Sequence, residues 1–256
     1  MVFLFGVCGL HAASYGTYED VKTLLNDKLN GYNAEIRPIN NQSMPVDINI
    51  IFNLMNIESF DEIAGVITVT HVMDVTWRDE ELVWDPHSYG NLTQMSVSSD
   101  KIWNPKLFSI DPTTNTALIG DNNFRVAINA MGDVYWNPGG ILRGHCVANV
   151  SKFPFDQHEC VIKILPVGYT DAEVSFELPN IELSFFSQNT EYELVQHTDV
   201  TSFVSPVTAF YLTVKRRPLH HLISLIFPIT MLGLAIPLVF VLPFTSGESS
   251  SYSITM

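Results

Sequence analysis

Basic residues are scarce in this sequence: 13 Lys and Arg stand against 27 Asp and Glu, for a formal net charge of −14. Such a chain repels phosphate backbones and has no basic patch with which to release their counterions, which excludes nucleic acid as a partner. Charge of either sign is limited to 16% of residues, against 46% hydrophobic ones, a balance that excludes disorder and leaves ample material for a buried core. No nucleophile with a nearby base, no paired-carboxylate motif and no phosphate-cradling glycine loop occurs, so nothing supports an enzyme or a cofactor. His220 and His221 are adjacent and point about 100° apart on a helix, which does not suit a shared metal. Internal repeats and low-complexity tracts are absent too.

What is present is unevenly distributed. The first residues are apolar and end on Ala12, Ala13 and Ser14, a pattern of a signal peptide over residues 1–14 or of a buried N-terminal strand. Asn41, Asn91 and Asn149 each begin an N-x-S/T sequon, which has meaning as a glycosylation site only in a secreted chain. Cys8 would leave with a leader, and the remaining Cys146 and Cys160 form an even pair suited to an oxidising compartment. At the other end, Leu219 to Leu242 holds no Asp, Glu, Lys or Arg. A helix of that length reaches about 36 Å, enough to cross a bilayer, the other reading being a buried core helix. Lys215, Arg216 and Arg217 precede it and taken alone place that flank in the cytoplasm, against the leader and the sequons; a long translocated domain is largely exempt from the charge rule.

Between these ends the pattern is mainly β. Thr17 with Asp20 predicts a capping box ahead of Val21, Leu24, Leu25 and Leu29 at helical spacing, with Gly31 as the stop. Val46 to Ile50, Val66 to Val75, Phe124 to Tyr135, Val161 to Leu165, Val174 to Leu178, Tyr192 to Val195 and Val207 to Val214 read as strands divided by Gly, Pro and Asn clusters. Many short strands without intervening helices mean an antiparallel sandwich or barrel.

Cys146 and Cys160 have 13 residues between them, including Phe153, Pro154, Phe155 and Asp156. This stretch resembles the signature loop of the pentameric ligand-gated ion channels, the Cys-loop receptors. Trp77, Asp79, Trp84, Asp85 and Pro86, then Trp103 with Pro105, then Tyr135, Trp136 and Pro138 are similar to further segments of that family. Arg216 and Pro218, Leu238 to Pro243, and Ser246, Gly247 and Glu248 resemble its first membrane helix and the start of its pore-lining helix.

The resemblance, closest to nicotinic acetylcholine receptors of a non-alpha or divergent kind, implies an extracellular ten-stranded antiparallel β-sandwich with an N-terminal helix over residues 15–218. A transmembrane α-helix over 219–243 and an incomplete pore-lining helix over 244–256 would follow. It implies a disulfide between Cys146 and Cys160, and a role for Glu62, Phe153, Pro154, Phe155, Asp156 and Arg216 in coupling the sandwich to the membrane. Glu62 is expected to pair with Arg216, so that Glu62→Arg abolishes gating and Arg216→Glu partly restores it. Glu248, in a run with no inserted Pro-Ala and no basic residue, implies a cation-selective pore. The aromatic cage for a quaternary ammonium is missing: Val167, Ile110 and Val72 stand where rings are expected, leaving Tyr169, Tyr192 and Phe203 as candidate ligand contacts.

The implied partners are homologous subunits in a homo- or hetero-pentamer, a small neurotransmitter-like ligand and membrane lipid. The implied location is the plasma membrane, a synaptic one included. Since the sequence stops at Met256, it reads either as part of a channel subunit or as a truncated, non-conducting subunit that binds or assembles with intact channels.

Overall fold

The structure, a computed structural model, describes residues 16–110, 117–120, 124–147, 149, 151–201 and 206–239. The expected leader, Cys8, Phe203 and Glu248 lie outside the described residues. Helix α1 (Tyr18–Leu29) begins at the expected capping box. Thr17 donates its backbone N–H to Asp20 Oδ2 at 2.8 Å, and Asp20 N–H donates back to Thr17 Oγ1 at 3.3 Å. Leu24 is fully buried while Val21, Leu25 and Leu29 pack on the core from partly exposed positions, and the chain leaves the helix at Asn30 and Gly31, the latter with φ 88°.

Among the described residues twelve strand segments follow where ten were expected: β1 (Val46–Asp61), β2 (Val66–Arg78), β3 (Gln94–Ser98), β4 (Leu107–Ile110), β5 (Ala117–Leu118), β6 (Arg125–Asn129), β7 (Asp133–Trp136), β8 (Gly139–Val147), β9 (Gln157–Pro166), β10 (Val174–Glu182), β11 (Tyr192–Thr201) and β12 (Thr208–Arg216). The count rises because β4, β5 and β7 are separate pieces of two to four residues. The run from Phe124 to Tyr135 is one such case: a turn over Ala130 and Met131, closed by the Gly132 N–H on the Asn129 carbonyl at 2.9 Å, divides it into β6 and β7. Gly132 has φ 86°, and a Cβ there would meet the carbonyl oxygen of Asp79 at 2.3 Å, so only glycine fits this turn.

Pairing is antiparallel in the order β11-β12-β9-β8-β2-β7-β6-β3, and among the described residues β1 against β10 is the one parallel pair. The long β2 joins the layers: Val66 to Val72 pair with β8, Val75 to Arg78 pair with β7, and β1 runs along its other side. Alternation places Ile48, Ile50 and Phe52 of β1, Val69, Met73 and Val75 of β2, and Ile162 and Ile164 of β9 in one continuous core.

Cys146 and Cys160 face each other across the β8–β9 ladder and are joined as a disulfide. Closing so short a loop is worth about 3 kcal/mol on chain-entropy grounds. The double substitution Cys146→Ser, Cys160→Ser is therefore expected to lower the urea midpoint by that equivalent, and an unchanged midpoint would contradict it.

Past β12 the chain is helical to Val239 in three pieces: α2 (Leu219–His221), a π turn (Leu222–Ile226) and α3 (Phe227–Val239). The wide turn lies directly before Pro228, which has no N–H to offer the carbonyl of Ser224. Among the described residues no helix is long and apolar enough to cross a membrane. Leu219, Ile223, Phe227, Ile229, Leu232, Leu234 and Ile236 are all exposed.

Candidate coupling site at the end of the sandwich

Continuing the inward alternation of β12 from Phe210 through Leu212 and Val214 brings Arg216 to a core-facing position, where it is 3% exposed. The same extrapolation along β9, from Ile164 through Ile162 and Cys160, brings His158 and then Asp156 inward, with both side chains fully buried. The two series meet. Asp156 takes two bonds from the guanidinium, Nε to Oδ1 at 2.9 Å and Nη2 to Oδ2 at 3.1 Å, the two-point geometry that suits arginine and carboxylate. Arg216 Nη2 also donates to Glu62 Oε1, from the turn between β1 and β2. Tyr192, opposite Arg216 on β11, donates its hydroxyl to that same oxygen at 3.2 Å. The rings of Phe153 and Tyr192 lie 5.3 and 5.1 Å from the guanidinium carbon, flanking the cation.

Burial alone would raise the Asp156 carboxyl, but the bonds from Arg216, aided by His158, outweigh it and hold it below its usual range. Burial likewise opposes the charge on Arg216, and Asp156 and Glu62 more than restore it. Burial pushes the Tyr192 hydroxyl up to about 12, with Glu62 adding to the effect. The cluster is thus an ionised guanidinium held by two carboxylates, set at the end of β12 immediately before Pro218 and the helical segment.

Of the residues expected to couple sandwich to membrane, Glu62, Phe153, Asp156 and Arg216 are brought together here. Pro154 is buried beside them in sequence and Phe155 is 55% exposed. The expected pairing of Glu62 with Arg216 is present, and Arg216 is also held by the fully buried Asp156. A glutamate at 216 would stand against Asp156, so the rescue of Glu62→Arg by Arg216→Glu is expected to be weak.

Tyr192 was expected among the ligand contacts. It is 4% exposed and belongs to this cluster, whereas Tyr169 lies beyond the far end of β9, about 30 Å of strand away. Tyr169 is half-buried and its hydroxyl accepts the Trp103 Nε1–H at 2.9 Å, a packing role. Val167, two residues before it, and Ile110, opposite Lys163 in the β4–β9 register, are aliphatic and exposed. The sequon residues Asn41, Asn91 and Asn149 are exposed.

A second buried carboxylate continues the inward series of β2 past Trp77. Asp79 is fully buried and accepts from the Tyr32 hydroxyl at 2.7 Å and the Glu81 N–H at 3.0 Å, neither of them cationic. Burial pushes its carboxyl up from 3.8 to about 6. A raised acid binds its proton in the folded state first, so its contribution to stability is present below about pH 4 and lost as pH rises through about 6. Relative to Asp79→Asn, the wild-type chain is expected to lose about 1.4 kcal/mol per pH unit across that window. Parallel pH profiles in urea would contradict this.

Residues 21–218 match the family model described as neurotransmitter-gated ion-channel ligand binding domain, and the chain belongs to that family. Channels, not enzymes, make up this family. The chain is 28% identical to the acetylcholine receptor subunit delta of Rattus norvegicus over 284 residues, covering 98% of this chain and 52% of that protein. It is 29% identical to the alpha-type subunit acr-16 of Caenorhabditis elegans over 257 residues, with 96% and 51% covered. The beta-type subunit unc-29 of the same organism is 29% identical over 248 residues, with 93% and 49% covered. The chain thus spans about half the length of the curated relatives it matches.

Proposed function

We propose that this chain is the extracellular sandwich and first membrane segment of a subunit in a pentameric, cation-selective ligand-gated channel of the plasma membrane. Residues 1–14 serve as its leader, 219–243 as its first membrane helix and 244–256 as the start of the pore lining. The observation that carries the reading is the buried Arg216 held by Asp156 and Glu62. It ties the disulfide loop and the β1–β2 turn to the last residue of β12, three residues before the chain turns helical. A displacement of either loop then acts directly on that helix.

Homologous subunits are the partners, Glu248 sets the preference for cations, and glycans sit on Asn41, Asn91 and Asn149. The agonist is a small molecule bound without the full aromatic cage. Exposed aliphatic side chains at Val167 and Ile110 also favour a second reading, a binding or assembly subunit that modulates intact channels without opening one itself. Oocytes expressing the complete protein with acetylcholine receptor subunits separate the two, with acetylcholine as the probe and Glu248→Lys as the variant. The first reading expects the evoked current to reverse near the sodium potential and Glu248→Lys to reduce its preference for cations, since Glu248 lines the pore; a reversal potential that Glu248→Lys leaves unchanged would overturn the cation assignment and favour the modulatory reading.

A further inference from the structure

His158 is a titratable side chain that the Arg216 cluster does not require for charge, yet it is fully buried at its centre. Its ring nitrogens have different partners. Asn149 donates its backbone N–H to Nδ1 at 3.3 Å, and Nε2 lies 2.6 Å from Asp156 Oδ2. A backbone N–H can only donate, so Nδ1 must be the bare acceptor and Nε2 must carry the hydrogen given to Asp156. The ring is fixed in place by Phe60, whose centroid is 4.6 Å away, and by Val214 opposite it in the β9–β12 register. The ionised group in hydrogen-bond contact with it is Asp156; Arg216 bonds to that carboxylate and to Glu62, and the Tyr192 ring meets Phe60 at right angles with 5.6 Å between centroids.

We propose that His158 is a positioning residue: its neutral imidazole, with the proton on Nε2, fixes the Asp156 carboxylate in the orientation that grips Arg216 through both oxygens. A carboxylate's last torsion is broad. Arg216 holds it at two points, and the His158 bond to Oδ2 adds a third from a ring that cannot move with the guanidinium. Because the other side of the ring holds Asn149 in the disulfide loop, the grip on Arg216 becomes sensitive to where that loop sits. This deepens, and rests on, the coupling role proposed for the cluster.

The test uses the whole chain in detergent micelles with 15N-labelled histidine. The ring whose signals disappear in His158→Gln is expected to be bare at Nδ1 and protonated at Nε2, unlike His71, whose Nδ1 faces the Gly140 carbonyl oxygen at 3.0 Å and carries the proton; if the ring lost in His158→Gln is instead protonated at Nδ1, the proposal is overturned. Hydrogen exchange at Arg216 Nε–H supplies the second readout. His158→Met, similar in bulk but without donor or acceptor, is expected to speed that exchange at least tenfold. His158→Gln, whose amide offers both a donor and an acceptor, is expected to restore most of the protection. Equal protection in Met and wild type would equally overturn it, and the wild-type spectrum decides should the Met variant not fold. Neither readout involves ligand or current, so failure of the channel reading leaves both intact and distinguishable.

Discussion

Replacing Arg216 with methionine is expected to destabilise the sandwich by about 3–5 kcal/mol, read as a lower urea midpoint at unchanged m-value. The loss comes mainly from what remains. Asp156, fully buried, would be left without its cation, and Glu62 with its side chain 29% exposed would turn to water. A carboxylate in that position cannot recover hydration, so either it protonates or the loop around it opens. Removing both partners together, Arg216→Met with Asp156→Leu, is expected to cost less than Arg216→Met alone, since a buried pair exchanged for apolar groups loses desolvation cost along with attraction. The same carboxyl gives the cluster an acid limit. Held below its usual value, it contributes stability above about pH 4 that is lost as pH falls through its folded value. A midpoint for Arg216→Met within 0.5 kcal/mol of wild type, roughly the scatter of surface substitutions, would contradict the cluster's role.

Trp103→Ala is expected to be as damaging, at about 3–5 kcal/mol, for a different reason. Trp103 is fully buried, its ring meets Trp77 edge-on at a centroid distance of 5.9 Å, and Tyr169 packs against it at the same distance. Its backbone N–H donates to the Tyr32 hydroxyl at 3.0 Å, which in turn donates to Asp79. Truncation opens a cavity between elements far apart in sequence and leaves the Tyr169 hydroxyl without its donor. Tyr169→Phe is expected to cost about 1–3 kcal/mol, the penalty for leaving the Trp103 Nε1–H buried and unbonded. Thermal unfolding of the two variants checks the ordering; a Tyr169→Phe loss larger than that of Trp103→Ala would contradict it.

Much of the fold was legible because period-two alternation is written into β1, β2, β9 and β12, and because Thr17 and Asp20 announce the start of α1 by local chemistry alone. The breaks were harder to see: the turn at Gly132 interrupts an apolar run that reads as one strand, and the parallel β1–β10 pair joins segments whose spacing carries no sequence signal. Three charged residues were also legible in principle. Arg216, Asp156 and Asp79 each extend an inward-facing series by one more step, so the alternation that marks the core also marks its buried charges. What the sequence could not convey was their pairing. That Asp156 rather than Glu62 is the main partner of Arg216, and that Tyr192 belongs to the same cluster, depends on β12 lying between β9 and β11.

The most direct test of the channel-subunit proposal is single-particle imaging of the complete protein, purified through a tag on this chain from cells that also express acetylcholine receptor subunits. Rings of five subunits containing the tagged chain are predicted. Monomers or two-fold dimers, with no five-membered ring carrying the tag, would contradict it.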